Sequence, residues 1–164
     1  MSEHAIEIEV EEDAWLRDLP DCEAIARASA EAALTAGEAR VDAEVSILLA
    51  EDDEVAALNA QFRDKPQPTN VLSFPAMEMA RPHLGDVILA HGVCAREAHD
   101  QGKPLRAHLS HLVAHGVLHL LGWDHQTDAE AEEMESLERT VLAKLGIPDP
   151  YATQDGTDER RRPE

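Results

Sequence analysis

The sequence predicts a single α+β domain built from four short strands and a larger set of helices. Three observations support this. The chain has 164 residues, within the roughly 100–200 of one domain. No internal repeat or Gly/Ser linker divides it. Its apolar pattern reads as period-two strands mainly in the first half and as helical stripes mainly in the second. Hydrophobic residues make up 43% and charged residues 29%, the balance of a soluble globular protein. Aromatics are only 3%, so the core must rest on Leu, Val, Ile and Ala.

Taken in order, Ala5–Val10 alternates apolar and polar residues, as a half-buried strand does. A helix from Cys22 to Ala36 is expected, started by Asp21 and stopped by Gly37. Val45–Leu49 reads as a more buried strand. Asp52 or Asp53 can cap a helix that carries Val55, Leu58 and Phe62 on one face. RDKPQPTN at 63–70 holds two prolines and reads as an ordered loop. Val71–Phe74 and Asp86–Leu89 are short strands, read as an antiparallel ribbon, and a helix falls within Gly92–Gln101. Pro104 opens a helical pattern that runs to Leu121, with Gly122 just past its end. Thr127 with Glu130 forms a capping-box pattern for a last helix ending before Gly146. Residues 1–150 are expected to form the domain and 151–164, polar with ERRRPE at the end, a disordered tail.

Several function classes are excluded at this level. No apolar run approaches the about 20 residues that cross a bilayer. The start, MSEHAIEIEVEED, is acidic rather than basic and then apolar, so it does not read as a signal peptide. Cys22 and Cys94 form neither a disulfide framework nor a CxxC pair, and are expected as reduced thiols, at least one of them buried. A cytoplasmic protein is expected. The net charge of −20 opposes nonspecific binding to nucleic acid, because phosphate contacts need Lys and Arg. Acidic clusters at Glu7–Asp13 and Asp128–Glu138 are read as solvated surface, which leaves room for a local positive site.

The chemistry is concentrated in the histidines at 108, 111, 115 and 119. Spaced three, four and four, they fall on one stripe of a helix. His115 and His119, at i and i+4, stand roughly 6 Å apart at Cβ, so their imidazoles can converge on one Zn²⁺. Gly122 allows a sharp turn, after which His125 can return as a third ligand. The segment HGVLHLLGWDH at 115–125 thus has the histidine and glycine spacing of HExxHxxGxxH. Three neutral nitrogens leave the cation its full charge and an open position, as a catalytic site requires. Gly116 stands where a metallopeptidase carries its glutamate base. The ligands resemble a protease and the acid–base machinery does not.

At this point the sequence resembles the YbeY family, bacterial zinc endoribonucleases implicated in ribosomal RNA maturation. HGVLHLLGWDH carries the resemblance, with LNAQFRDKPQPTNVLSFP at 58–75 and LGDVILA at 84–90 beside it. The likeness covers roughly Ile6 to Gly146. It implies a compact α+β domain in which a small mixed sheet packs with helices and the metal site lies at the end of a central helix. It further implies one zinc per chain on His115, His119 and His125, and a functional role for Arg63 in the metal cleft. The implied activity is single-strand-specific endonucleolytic cleavage in maturation of the small-subunit ribosomal RNA 3′ end and in ribosome quality control. The implied partners are ribosomal RNA, the small ribosomal subunit and its assembly factors, with neither DNA nor membrane. Trp123 replaces the usual tyrosine, and Asn70 stands where aspartate is common.

Other residues keep two readings each. Arg63 can hold a phosphate oxygen or pair with a neighbouring carboxylate. Asp124 can orient a histidine or a water, or serve as a turn residue. His111 lines the cleft or is structural, and His108 is treated in the same way. Ser73 faces the cleft or bonds the backbone. Lys65 and Lys103 are loop cations that could touch phosphate. Two other functions fit the ligands: a zinc-containing ribosome assembly factor without catalysis, and a metzincin-like hydrolase of another substrate.

Overall fold

Strand β1 (Ala5–Val10) opens the chain and is followed by helices α1 (Asp13–Asp18) and α2 (Cys22–Ala36). Next come β2 (Glu44–Ala50), α3 (Asp52–Arg63), β3 (Val71–Pro75), a 3₁₀ turn at Glu78–Ala80 and β4 (His83–Ala90). Helices α4 (His91–Asp100), α5 (Leu105–Leu120) and α6 (Asp128–Lys144) complete the molecule. This is a computed structural model, which describes residues 4–63, 69–123 and 127–150. The expected tail, 151–164, lies outside them. Among the described residues no helix is long and apolar enough to cross a membrane.

The four strands form one mixed sheet in the order β1-β2-β4-β3. β1, β2 and β4 are parallel, and β3 joins β4 antiparallel, with Ser73 opposite Val87. Alternation sorts the side chains. Val45, Ile47 and Leu49 of β2 and Val87 and Leu89 of β4 enter the main core with α2 and α5. Leu72, Ile88 and Ala90 point the other way and pack under Val55 of α3. Helix α5 touches α2, α4, α6 and the sheet, and from His108 to Leu120 all its residues are buried except His115 and His119.

Three expectations need correction. Helices do not crowd into the second half, since α1, α2 and α3 all precede residue 64. Helix α1 is too short to leave a periodic signal in the sequence. Its Trp15 is fully buried and donates Nε1–H to the carbonyl of Ala50 at 3.0 Å, so tertiary anchoring rather than propensity holds it. Phe62 does not join Val55 in the core. It is 60% exposed and meets Phe74 edge-on with ring centroids 5.4 Å apart, while Asn59 takes the buried position. Both cysteines are buried, and burial pushes both thiols up from their ordinary range.

Helix ends follow their local chemistry. Thr127 accepts the N–H of Glu130 at 3.1 Å and caps α6. Asp52, on α3, reaches across to accept the N–H of Val93 at 3.1 Å, and so caps the start of α4. Glu54 sits among carboxylates at the other end of β1. Its own burial, a hydrogen bond with Glu11, and repulsion from Glu11, Glu51 and Glu9 push it up to about 7 from 4.5. The folded value lies above the unfolded one, so this stabilisation is complete below about pH 4.5 and is lost as pH rises through 7. Wild type is expected to lose about 1 kcal/mol between pH 5 and pH 8 through this group, after allowance for solvent screening. Glu54→Gln should remove that slope in urea titrations at the two pH values.

Candidate metal centre

The histidine stripe of α5 divides into three environments. His108 Nε2 lies 2.9 Å from Glu97 Oε1, which ties the start of α5 to α4. One turn on, buried His111 places Nε2 at 2.8 Å from Glu138 Oε1. His115 places Nδ1 at 2.6 Å from the second oxygen of the same carboxylate. His119 follows, its ring 4.7 Å from that of His115 and nearly perpendicular to it. From His108 to Leu120, the two residues that open the otherwise buried stretch of α5 are therefore the two of that helix expected to bind metal.

Glu138 belongs to the acidic run Asp128–Glu138, whose composition points to solvated surface. It is instead fully buried on α6 beside Met134, Val141 and Leu142. Burial pushes its carboxyl up, but the hydrogen bonds from His111 and His115 outweigh this and hold it well below the usual carboxylate range. The charge is kept because both oxygens are satisfied. A signal was present in the sequence: Glu138 falls on the apolar stripe 134–138–141–142 of α6.

Gly116 explains the missing glutamate. A Cβ there would stand 2.7 Å from Val87 Cγ1 and 3.1 Å from Ser73 Oγ, so the helix backbone rests directly on β3 and β4. Ser73 donates its hydroxyl to the Gly116 carbonyl at 3.2 Å, which is the backbone role among its two readings. After His119 the chain reverses at once. Gly122, at φ +103°, donates to His119 O at 2.9 Å, and Trp123 donates to Leu118 O at 3.0 Å, which is a Schellman end. Trp123 then packs on the main core.

Asp124 and His125 lie outside the described residues, as does Lys65. Arg63 is the last residue of α3, and its side chain lies outside them as well. Lys103 lies just before α5, whose first residue is ten residues, roughly 15 Å of helix rise, from His115, and burial lowers its pKa. Asn70 donates Nδ2–H to Glu97 Oε1 at 3.0 Å, the oxygen that His108 also meets. The amide nitrogen, rather than the oxygen shared with aspartate, is what this chain uses. Asn70→Asp is expected to cost about 1 kcal/mol at pH 8 by setting two carboxylates together. It should cost less at pH 5, where one proton can lie between them; urea unfolding at both pH values checks this.

The donor set fits a divalent cation of borderline softness. With Nδ1 of His115 engaged by Glu138, Nε2 is the nitrogen a metal would take, and the ring of His119 stands beside it.

The chain has clear relatives among known proteins. The family described as Endoribonuclease YbeY matches residues 7–146. A relative of that name from Paramagnetospirillum magneticum is 51% identical, across 91% of this chain and 96% of its own. Another from Maricaulis maris is 50% identical, across 93% and 94%. One from Rhodopseudomonas palustris (strain BisB5) is 48% identical, across 92% and 83%. A solution structure from Thermotoga maritima, 24% identical, shares the fold with a TM-score of 0.55 over 90% of this chain and 99% of that one. The chain belongs to the Endoribonuclease YbeY family.

Proposed function

We propose that this protein is a zinc-dependent endoribonuclease that cuts single-stranded segments of ribosomal RNA in the cytoplasm. Maturation of the small-subunit RNA 3′ end and ribosome quality control are the processes it serves. Its partners are the small subunit and its assembly factors. The observation that carries the reading is the pair His115 and His119, alone in opening the buried stretch of α5, with ring centroids 4.7 Å apart. The relatives' shared name supplies the substrate class.

One zinc per chain would be held by His115, His119 and His125. When bound it supplies a Lewis acid for a phosphoryl oxygen and a source of hydroxide near neutral pH. Arg63, at the end of α3, would hold a nonbridging phosphate oxygen and offset charge that develops on it. Gly116, packed against β3 and β4, leaves no carboxylate where a metallopeptidase keeps its base, which argues against peptide substrates. The charge of −20 suits contact with basic ribosomal proteins better than with bare RNA, so a protein partner would help to dock the substrate.

Zinc-loaded wild type, His119→Ala and Arg63→Ala should be tested on ribosomal RNA carrying a single-stranded 3′ extension. Cleavage is expected in wild type, absent in His119→Ala, and reduced by about 10²–10³-fold in Arg63→Ala. Circular dichroism should show both variants folded. No cleavage by zinc-loaded wild type, with or without small subunits, would favour an assembly factor instead.

A further inference from the structure

A carboxylate only accepts hydrogen bonds, so both rings that meet Glu138 must donate to it. His111 does so from Nε2 at 2.8 Å and His115 from Nδ1 at 2.6 Å. A neutral imidazole has one N–H, and with that proton on Nδ1 the lone pair of His115 lies at Nε2. We propose that Glu138 is a positioning residue of the metal centre. Gripped by His111 on one oxygen and bonded to His115 on the other, it fixes the tautomer and ring angle that turn Nε2 of His115 toward the cation.

The surroundings favour this over a purely structural role. Position 138 belongs to an apolar stripe, and its neighbours Met134, Val141 and Leu142 are all buried. An apolar residue there would extend the core, and replacement of buried ionic clusters by such residues is often neutral or stabilising. His111 adds a second function to the grip. By occupying Oε1 it stops the carboxylate from turning away from His115. Because Glu138 stands on α6 and the histidines on α5, the docking of α6 becomes a condition of tight metal binding.

The cation half of this inference rests on the zinc reading above, whereas the tautomer of His115 rests on the chain's own geometry. The test uses the full chain and Glu138→Gln, whose amide offers one acceptor and one donor face, so that one histidine must change its tautomer. Nitrogen-15 NMR of the ring nitrogens in metal-free protein gives the tautomer, and competition with a chromophoric chelator gives zinc affinity. The expected result is a proton on Nδ1 of His115 in wild type and a zinc Kd raised about 10–100-fold in Glu138→Gln. Wild-type zinc affinity in Glu138→Gln, or a wild-type His115 carrying its proton on Nε2, overturns the proposal. Should Glu138→Gln fail to fold, the wild-type tautomer decides alone. Wild type that shows the Nδ1 proton yet binds no zinc overturns the zinc reading and with it the metal half of the proposal.

Discussion

Glu138→Ala is expected to lose about 3 kcal/mol of stability, the low end of the range for removing one partner of a buried ionic cluster. Two effects add. The N–H groups of His111 and His115 lose their acceptor, at about 1–3 kcal/mol for a buried donor left unmet. The vacated stem also leaves a void against Met134, Val141 and Leu142. The cost stays at the low end because both imidazoles can be neutral, so no charge is stranded. For a domain of this size it corresponds to a Tm lower by roughly 6–12 °C. Glu133→Ala, an exposed position on the same helix, should change stability by less than about 0.5 kcal/mol. Urea titration of both variants checks this, and a loss below about 1 kcal/mol for Glu138→Ala would mean that the bridge is not formed.

The second large effect is at Gly116. Gly116→Ala places a methyl group 2.7 Å from Val87 Cγ1 and 3.1 Å from Ser73 Oγ. Neither neighbour can yield easily, since Val87 is fully buried in the central strand β4 and Ser73 is hydrogen bonded to the Gly116 carbonyl itself. The strain is expected to cost about 1–3 kcal/mol, offset by less than about 1 kcal/mol from alanine's better helix propensity. Gly116→Glu, which restores the metallopeptidase pattern, should cost more and leave the protein largely insoluble. It should therefore not create a peptidase. Thermal denaturation of the alanine variant and the soluble yield of the glutamate variant are the readouts. A glutamate variant that was stable and folded would show that helix and sheet are not in the contact described.

The span of α2 was legible to the residue because an acidic start and a glycine stop enclose a long apolar stripe. The histidine stripe was legible for the same reason: positions 108 to 119 share one helix, and a 3.6-residue period places them on one face. Their partners were not legible. Glu97 precedes His108 by 11 residues and Glu138 follows His115 by 23, and no local period links segments that meet only on folding. The acid-rich composition of α6 concealed Glu138, although its place between Met134 and Val141 on the buried face set it apart from Glu132 and Glu133. Helix α1 has too few residues to carry a period, and the cap from Glu12 and the tryptophan reaching β2 hold it. Phe62 misled because amphipathic spacing says which face turns inward but not how far the core extends along it.

The central claim, that His115 and His119 belong to a catalytic zinc centre, is tested most directly by counting metal. The protein should be purified without added metal and analysed by elemental mass spectrometry beside Arg63→Ala and His119→Ala. About one zinc per chain in wild type and in Arg63→Ala, with little in folded His119→Ala, is the predicted result for a centre holding three histidine ligands and an open position. Wild type without stoichiometric metal, or His119→Ala retaining it, would contradict the claim.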